Sequence, residues 1–463
     1  MKLPSKKSLC LIAGFGLFGI VALLPNPDGL SYEGQLMIGL FLMIAWFWMS
    51  EALPLPATAL LLILLQPVLG IMSSNEVFSA FGNHAVFFLI GAFIMASALE
   101  THNIHRRLAL HFLHFFDDNP RRFILGIMIT GALISFIIPE HAVVVLLLPF
   151  ILLILNETGV IPNQSNFGRA SVIAIAFGCS IGSLATPIGG ARNPLAIAFL
   201  DETADIEISF LEWMKFSLPI VIICLGVAWV LITRVFPPEE GLSLKITRKL
   251  IKQQIVELGT PGRDEKVVIS IIAFTVFLWI FASGFLNIAV IALIGSVLLF
   301  ISGSINWERV EDSMPWGIII LYGGAITLGV GMEKTGAASW IAGGMVNIIG
   351  DNPYLIILLL ITVTILLTQL ITNTAAVAML LPIGYGLSEE ISELTPLATT
   401  LTIALSGGLA FMMVIATPGN IITYSSGYFS TKDLFRVGYR VNIACIAVIF
   451  LVAVTYWRWI GVW

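Results

Sequence analysis

Apolar runs separated by short polar stretches recur along the chain from Leu9 to Trp459. Runs near or above the ~20 residues needed to cross ~30 Å of hydrocarbon predict membrane-spanning helices. The pattern places them at about 8–24, 34–51, 54–71, 86–99, 170–200, 213–235, 267–284, 287–303, 315–331, 397–428 and 441–460, which makes eleven crossings. Two further runs, 123–155 and 354–388, are too long for one crossing and too short for two with a turn. Each has a polar break in its middle. A re-entrant hairpin fits, two half-helices meeting at a tip inside the membrane, provided the tip is packed in protein or lines a wet cavity.

Composition agrees with this reading and narrows it. Of 463 residues, 58% are hydrophobic and 11% charged, a balance outside that of soluble globular domains. The expectation is an all-α polytopic membrane protein with no extramembrane domain long enough to fold alone. The opening MKLPSKKSLCLIAGFGLFGIVALLP lacks a small-x-small cleavage site, so it reads as a first helix and not a signal peptide. Cys10, Cys179, Cys224 and Cys445 lie in apolar segments without paired spacing, which argues against a disulfide framework or a zinc site. The net charge of −5 is uninformative, because in a membrane protein the side on which charges sit outweighs their sum, and no nucleic-acid partner is expected.

Charge placement supplies the orientation. With the N-terminus in the cytoplasm, Lys2, Lys6, Lys7, Arg106, Arg107, Arg121, Arg122 and most other cations fall inside. Lys215, Lys334 and Arg458 fall outside, where the loops DETADIEISF and SEEISEL are acidic. This predicts a multi-pass protein of the cell inner membrane with its C-terminus outside. The basic stretch 236–266 reads as a cytoplasmic linker with a solvated, lipid-facing surface.

The linker separates two halves that repeat. Gly91 matches Gly324, Glu100 matches Glu333, Ser135 matches Thr368 and Pro149 matches Pro382, every pair 233 positions apart. Residues 1–235 hold the first span and one repeat, with hairpin 123–155 and broken span 170–200. Residues 267–463 hold the other, with hairpin 354–388 and broken span 397–428. Five crossings and one hairpin per repeat make the two enter from opposite sides, an inverted repeat suited to two mirror-related open states.

Four polar breaks carry the chemistry. The hairpin tips are Pro139-Glu140-His141 and Thr372-Asn373-Thr374, and the long spans contain GSLATPIGGARNP and VIATPGNII. A half-helix N-terminus offers unpaired N–H groups and a partial positive charge to an anion, while unwound carbonyls and Asn or Thr oxygens suit a small cation.

The second tip, ATPGN, the fifth-span break and the flanking SEALPLPATALL and ETHNIHRRLA resemble the divalent anion/sodium symporters (solute carrier family 13) over nearly the whole chain. The resemblance implies a homodimer with eleven spans and two hairpins. It also implies an elevator-like shift of a transport domain against a scaffold, and a small anionic substrate, by default a dicarboxylate, held beside sodium. Carried over by position, the substrate residues are Glu140, His141, Gly190, Arg192, Asn193, Thr372, Asn373, Thr374, Thr417 and Pro418. The second sodium site is Thr368, Ile371, Asn373 and Ala416, and the first is Ser135, Glu140 and Gly189. The family's tips normally read Ser-Asn-Thr, so Pro139, Glu140 and His141 depart from it, as does GGARN in the fifth-span break.

An isolated charge at the bilayer centre costs ~2.5–3.5 kcal/mol on insertion scales. Three readings of the first tip follow. Arg192 lies beside Glu140 as a fixed cation near the place of one exchangeable sodium, leaving sodium needed at one site. Alternatively Glu140 with His141 carries a proton in each cycle. In the third, His141 is a packed residue and Pro139 a first-turn proline. Beyond sodium symport, an anion exchanger or a proton symporter stays open, with sulfate or another oxyanion as an alternative substrate, and so, separately, does a cation/proton antiporter with Glu140 as carrier. An intramembrane enzyme has no His-Glu-x-x-His, paired-aspartate or Gly-x-Ser-x-Gly element to rest on.

Overall fold

The computed structural model describes residues 6–116, 119–242 and 244–463, so Lys2 of the basic set and Ser243 of the linker lie outside the described residues. It is all helical, without a strand among those residues. After α1 (Lys6–Leu23), the first half contains α2 (Tyr32–Ser50), α3 (Leu55–Val68), α4 (Ser74–Phe81), α5 (His84–Thr101), α6 (Ile104–His114), α7 (Pro120–Ile134), α8 (Glu140–Glu157), α9 (Asn166–Gly182), α10 (Arg192–Ala204) and α11 (Phe210–Val235). The connection carries α12 (Lys245–Leu258). The second half contains α13 (Arg263–Phe281), α14 (Ile288–Ile301), α15 (Trp307–Ser313), α16 (Trp316–Lys334), α17 (Ala337–Ile349), α18 (Pro353–Leu367), α19 (Asn373–Glu390), α20 (Pro396–Ser406), α21 (Pro418–Tyr424) and α22 (Thr431–Val452).

Helix starts repeat at the spacing of the sequence landmarks. Leu55 and Ile288, Ser74 and Trp307, Ile104 and Ala337, Pro120 and Pro353, and Glu140 and Asn373 each open a helix 233 positions apart. Local chemistry repeats with them. Asn119 and Asn352 accept from the first amides of α7 and α18, each followed by a proline at the first helical position, where its missing N–H costs nothing. The landmark glycines also acquire a reason. A Cβ on Gly91 of α5 would meet Ala292 of α14 at 2.7 Å, and one on Gly324 of α16 would meet Ala59 of α3 at 2.6 Å. Ala59 and Ala292 are themselves 233 apart, so the two halves touch through one contact used twice.

The structure adds detail to the sequence reading in three places. By length and composition, six helices among the described residues suit a membrane crossing, or seven if Ala337–Ile349 and Pro353–Leu367, bent by 112°, count together. Others are half-length pieces, such as α9 and α20, so length alone does not count out eleven spans. The 236–266 linker is partly helical: α12 lays a buried Ile251 inward with Lys249 and Lys252 exposed, and α13 already begins at Arg263. The segments 307–313 and 337–349, assigned to no span, form α15 and α17.

Close packing of α7 on α9 sets the depth of the first hairpin. Gly178 and Gly182 form a small-x-x-x-small pair, and a Cβ on Gly182 would stand 2.2 Å from the Ala132 Cα and 2.5 Å from its carbonyl oxygen. Backbone cannot yield as a flexible side chain does. Gly182→Ala is expected to destabilise the purified protein by about 1–3 kcal/mol, read as a lowered thermal unfolding midpoint. Gly226→Ala in α11, where nothing lies within 4 Å, is expected to leave it unchanged.

Candidate functional site

Both hairpins turn at mid-chain within a few residues. α7 ends at Ile134 and α8 begins at Glu140; α18 ends at Leu367 and α19 begins at Asn373. Each second arm therefore presents the amides of its first two residues, Glu140 and His141 or Asn373 and Thr374, at the tip, while Ala142 bonds the Pro139 carbonyl and Thr372 caps Ala375. The long spans break as well: 183–191 separates α9 from α10, and 407–417 separates α20 from α21, with one short 3-10 turn at Val414–Ala416.

Unwinding frees carbonyls that must find donors. Asn193 donates to the carbonyls of Ser183 (2.8 Å) and Thr186 (2.7 Å), while Trp213 and Ser217 of α11 donate to those of Leu184 and Ala185. Asn420 repeats the device on the carbonyls of Ala410 (2.9 Å) and Met413 (3.0 Å). Each break is also tied to its tip. Thr186 donates to the Phe136 carbonyl at 2.5 Å, and Gln369 accepts from the Met412 amide at 2.9 Å.

All four breaks converge. A cavity of about 360 Å³ is lined by Pro139, Glu140 and His141 of the first tip and by Thr372, Asn373 and Thr374 of the second. Gly189, Gly190 and Arg192 line it from one broken span, and Ala416 and Pro418 from the other. Of the substrate positions expected from sequence, Asn193 and Thr417 do not line this space. Asn193 is fully buried on backbone carbonyls, and Thr417 is 1% exposed, its hydroxyl accepting from the Asn420 amide to cap α21. Glu51 lines the cavity too, a residue with φ of 50° that the sequence reading passed over.

Arg192 is 2% exposed. Its guanidinium packs between two glycines: a Cβ on Gly408 would stand 2.2 Å from Nη2, and one on Gly190 2.8 Å from Nη1. Nη2 donates to the Ser183 hydroxyl at 2.7 Å, and that hydroxyl lies 2.8 Å from Glu140 Oε2 and 2.7 Å from the Ser180 carbonyl. One proton serves one acceptor at a time, and the carboxylate is the stronger. The expected juxtaposition of Arg192 with Glu140 thus takes a bridged form, guanidinium to hydroxyl to carboxylate. Ser183 was legible in one respect: GSLA at 182–185 aligns with GGLA at 407–410, so a side chain appears where the other half has only Gly408.

The second half gathers oxygens instead of charges. Thr368 Oγ1 lies 2.5 Å from Asn373 Oδ1 and 3.1 Å from the Gly407 carbonyl, and the neighbouring Ser406 hydroxyl is buried with no partner among the described residues. An all-oxygen set with a spare buried hydroxyl fits a hard cation such as sodium. Ala416 lines the adjoining cavity and Ile371 is buried beside the tip. In the first half, Ser135 is fully buried, and a Cβ on Gly189 would meet the carbonyl oxygens of Ser135 and Ser183 at 2.6 Å each.

Comparison with known proteins gives a consistent result. Residues 5–463 match the family model described as the sodium:sulfate symporter transmembrane region. The sodium-dependent dicarboxylate transporter SdcS of Staphylococcus saprophyticus is 33% identical over 468 residues, covering 96% of this chain and 90% of that protein. Its counterpart from Staphylococcus aureus strain USA300 is 32% identical over 466 residues, covering 96% and 89%. In fold, the chain is similar to the Neisseria gonorrhoeae MtrF structure, with TM-score 0.57, 14% identity and coverage of 97% and 95%. The Alcanivorax borkumensis YdaH transporter gives TM-score 0.54, 13% identity and coverage of 84% and 87%.

Proposed function

The chain belongs to the sodium:sulfate symporter family, and from that premise we propose that it is a secondary active transporter carrying a small anion, by default a dicarboxylate, together with sodium. It is a multi-pass protein that works in the cell inner membrane with its N-terminus in the cytoplasm, as a homodimer, by an elevator-type shift. The observation that carries the reading is the convergence of four chain breaks on one cavity, with an oxygen cluster on one flank and Arg192 on the other.

Each residue then has a task. The first-turn amides of α8 and α19 face the anion from opposed sides, and Thr372, Asn373 and Thr374 add hydroxyl and amide donors. Sodium, when bound, neutralises the anion's charge beside the second tip; Thr368, Asn373 and the Gly407 carbonyl hold it, with Ile371 and Ala416 completing the set. On the first flank Arg192 stands as a permanent cation, balanced by Glu140 through Ser183, so that side needs no exchangeable ion. What favours this over a proton-carrying Glu140 is the Ser183 hydroxyl, which stands between the guanidinium and the carboxylate and ties the two together.

The test is uptake into proteoliposomes against a panel of anions. We expect sodium-gradient-driven accumulation of a dicarboxylate, saturating in sodium as a single site. Uptake indifferent to sodium, stimulated by the same anion inside, would instead make the chain an exchanger. Accumulation driven by a proton gradient alone would return Glu140 to the carrier role.

A further inference from the structure

Away from the central cavity, a groove of about 240 Å³ lies where α6, α8 and α12 meet, lined by Leu110, Leu147, Pro149, Phe150 and Leu153 together with Arg106 and Gln254. We propose that this groove is a binding site for an anionic phospholipid, with an acyl chain against the α6 and α8 side chains and the phosphate on Arg106.

The charge argument turns on two adjacent arginines. Arg107 Nη2 pairs with Glu265 at 3.0 Å, and its Nη1 donates to the Gly259 carbonyl at 2.8 Å, which fastens α6 to the end of α12. Arg106 is exposed and meets only a neutral group among the described residues, donating to Gln254 Oε1 at 2.7 Å. Glu257, the carboxylate of α12, accepts from the amides of Gln253 and Gln254 and forms no ion pair with Arg106 among the described residues. Exposed Lys249 and Lys252 keep α12 net positive despite Glu257.

Apolar surface lies beside that charge. Val256 of α12 is 76% exposed and Leu153 of the groove wall 37% exposed, on the side where basic residues gather. A basic, amphipathic helix with apolar residues at its margin belongs at a membrane surface, where an anionic headgroup and a chain can be met together. A soluble phosphate would satisfy Arg106 and leave Leu153 and the half-buried Phe150 uncovered.

Such a lipid would bridge parts with different duties. α6 and α12 form a bracket locked by Arg107, whereas α8 opens at Glu140 and His141 in the central cavity and passes the groove at Pro149. Occupancy would therefore bias the position of the first hairpin's arm. The site itself does not depend on the transport reading.

The test uses the full chain purified in detergent, with added phosphatidylglycerol, phosphatidylcholine of the same chains, or inorganic phosphate, followed by thermal unfolding and native mass spectrometry. Phosphatidylglycerol should stabilise saturably and stay bound, and the other two should not. Arg106→Gln should weaken phosphatidylglycerol about fivefold, from ~1 kcal/mol per basic residue near a headgroup. Leu153→Trp, at the exposed wall, should block the groove while stabilisation by sodium with anion persists, which shows the fold intact. Equal stabilisation by phosphatidylcholine or by inorganic phosphate, or an unaltered affinity in Arg106→Gln, would overturn the proposal.

Discussion

Glu140→Gln is expected to destabilise the protein by about 3–5 kcal/mol and to stop transport, because it leaves a buried guanidinium with no countercharge. The effect should be asymmetric. Arg192 is 2% exposed and packed between Gly190 and Gly408, so neither water nor a rotamer change can relieve it. Glu140 is half-buried at the cavity wall, where water can reach it. Arg192→Gln should therefore cost less in stability than Glu140→Gln, although it also removes the fixed cation and with it anion uptake. The double variant should recover most of the stability and none of the uptake. Unfolding midpoints of the four proteins in detergent, with uptake in proteoliposomes, measure this. Full transport with unaltered sodium dependence in Glu140→Gln would sink both the fixed-cation and the proton-carrier readings.

The parts of this molecule that could be read from its sequence are those where a polar residue interrupts an apolar run. Glu140, Arg192, Asn373 and Asn420 each stand out against their neighbours, and the spacing of 233 links Ser135 to Thr368 before any helix is drawn. Two kinds of feature escaped. One is helices that lie outside any long apolar run: α17, AASWIAGGMVNII, contains a glycine pair, yet the repeat places its start opposite Ile104 of α6 and would have found it. The other is the direction of a side chain. A break rich in Asn and Thr must satisfy its own carbonyls before it can hold a ligand, and pattern alone cannot divide the two duties. Asn193 and Thr417 are spent on backbone, whereas Asn373 reaches the cavity. Glu51 was unreadable for a further reason, since only the fold brings the corner between α2 and α3 against the two tips.

The unequal flanks make the remaining prediction, the response of sodium binding to loss of one oxygen. Thr368→Val keeps shape and removes a hydroxyl that lies 2.5 Å from Asn373 Oδ1 and 3.1 Å from the Gly407 carbonyl. An interaction with a charged partner is worth about 1.5–3 kcal/mol, so sodium affinity should fall roughly 10–100-fold, read as a shift in the sodium concentration that half-saturates uptake. Asn373→Ala should do more, because the side chain serves the sodium set and the substrate cavity together, raising the half-saturating concentrations of sodium and of anion in one step. The mirror change, Ser135→Ala, removes a hydroxyl at the repeat-related position in the half where Arg192 already supplies the positive charge. Its effect on sodium dependence should be small. A shift in Ser135→Ala as large as in Thr368→Val would mean that sodium also enters the first half, and that the guanidinium, bridged to Glu140 by Ser183, adds to an exchangeable ion there and does not replace it.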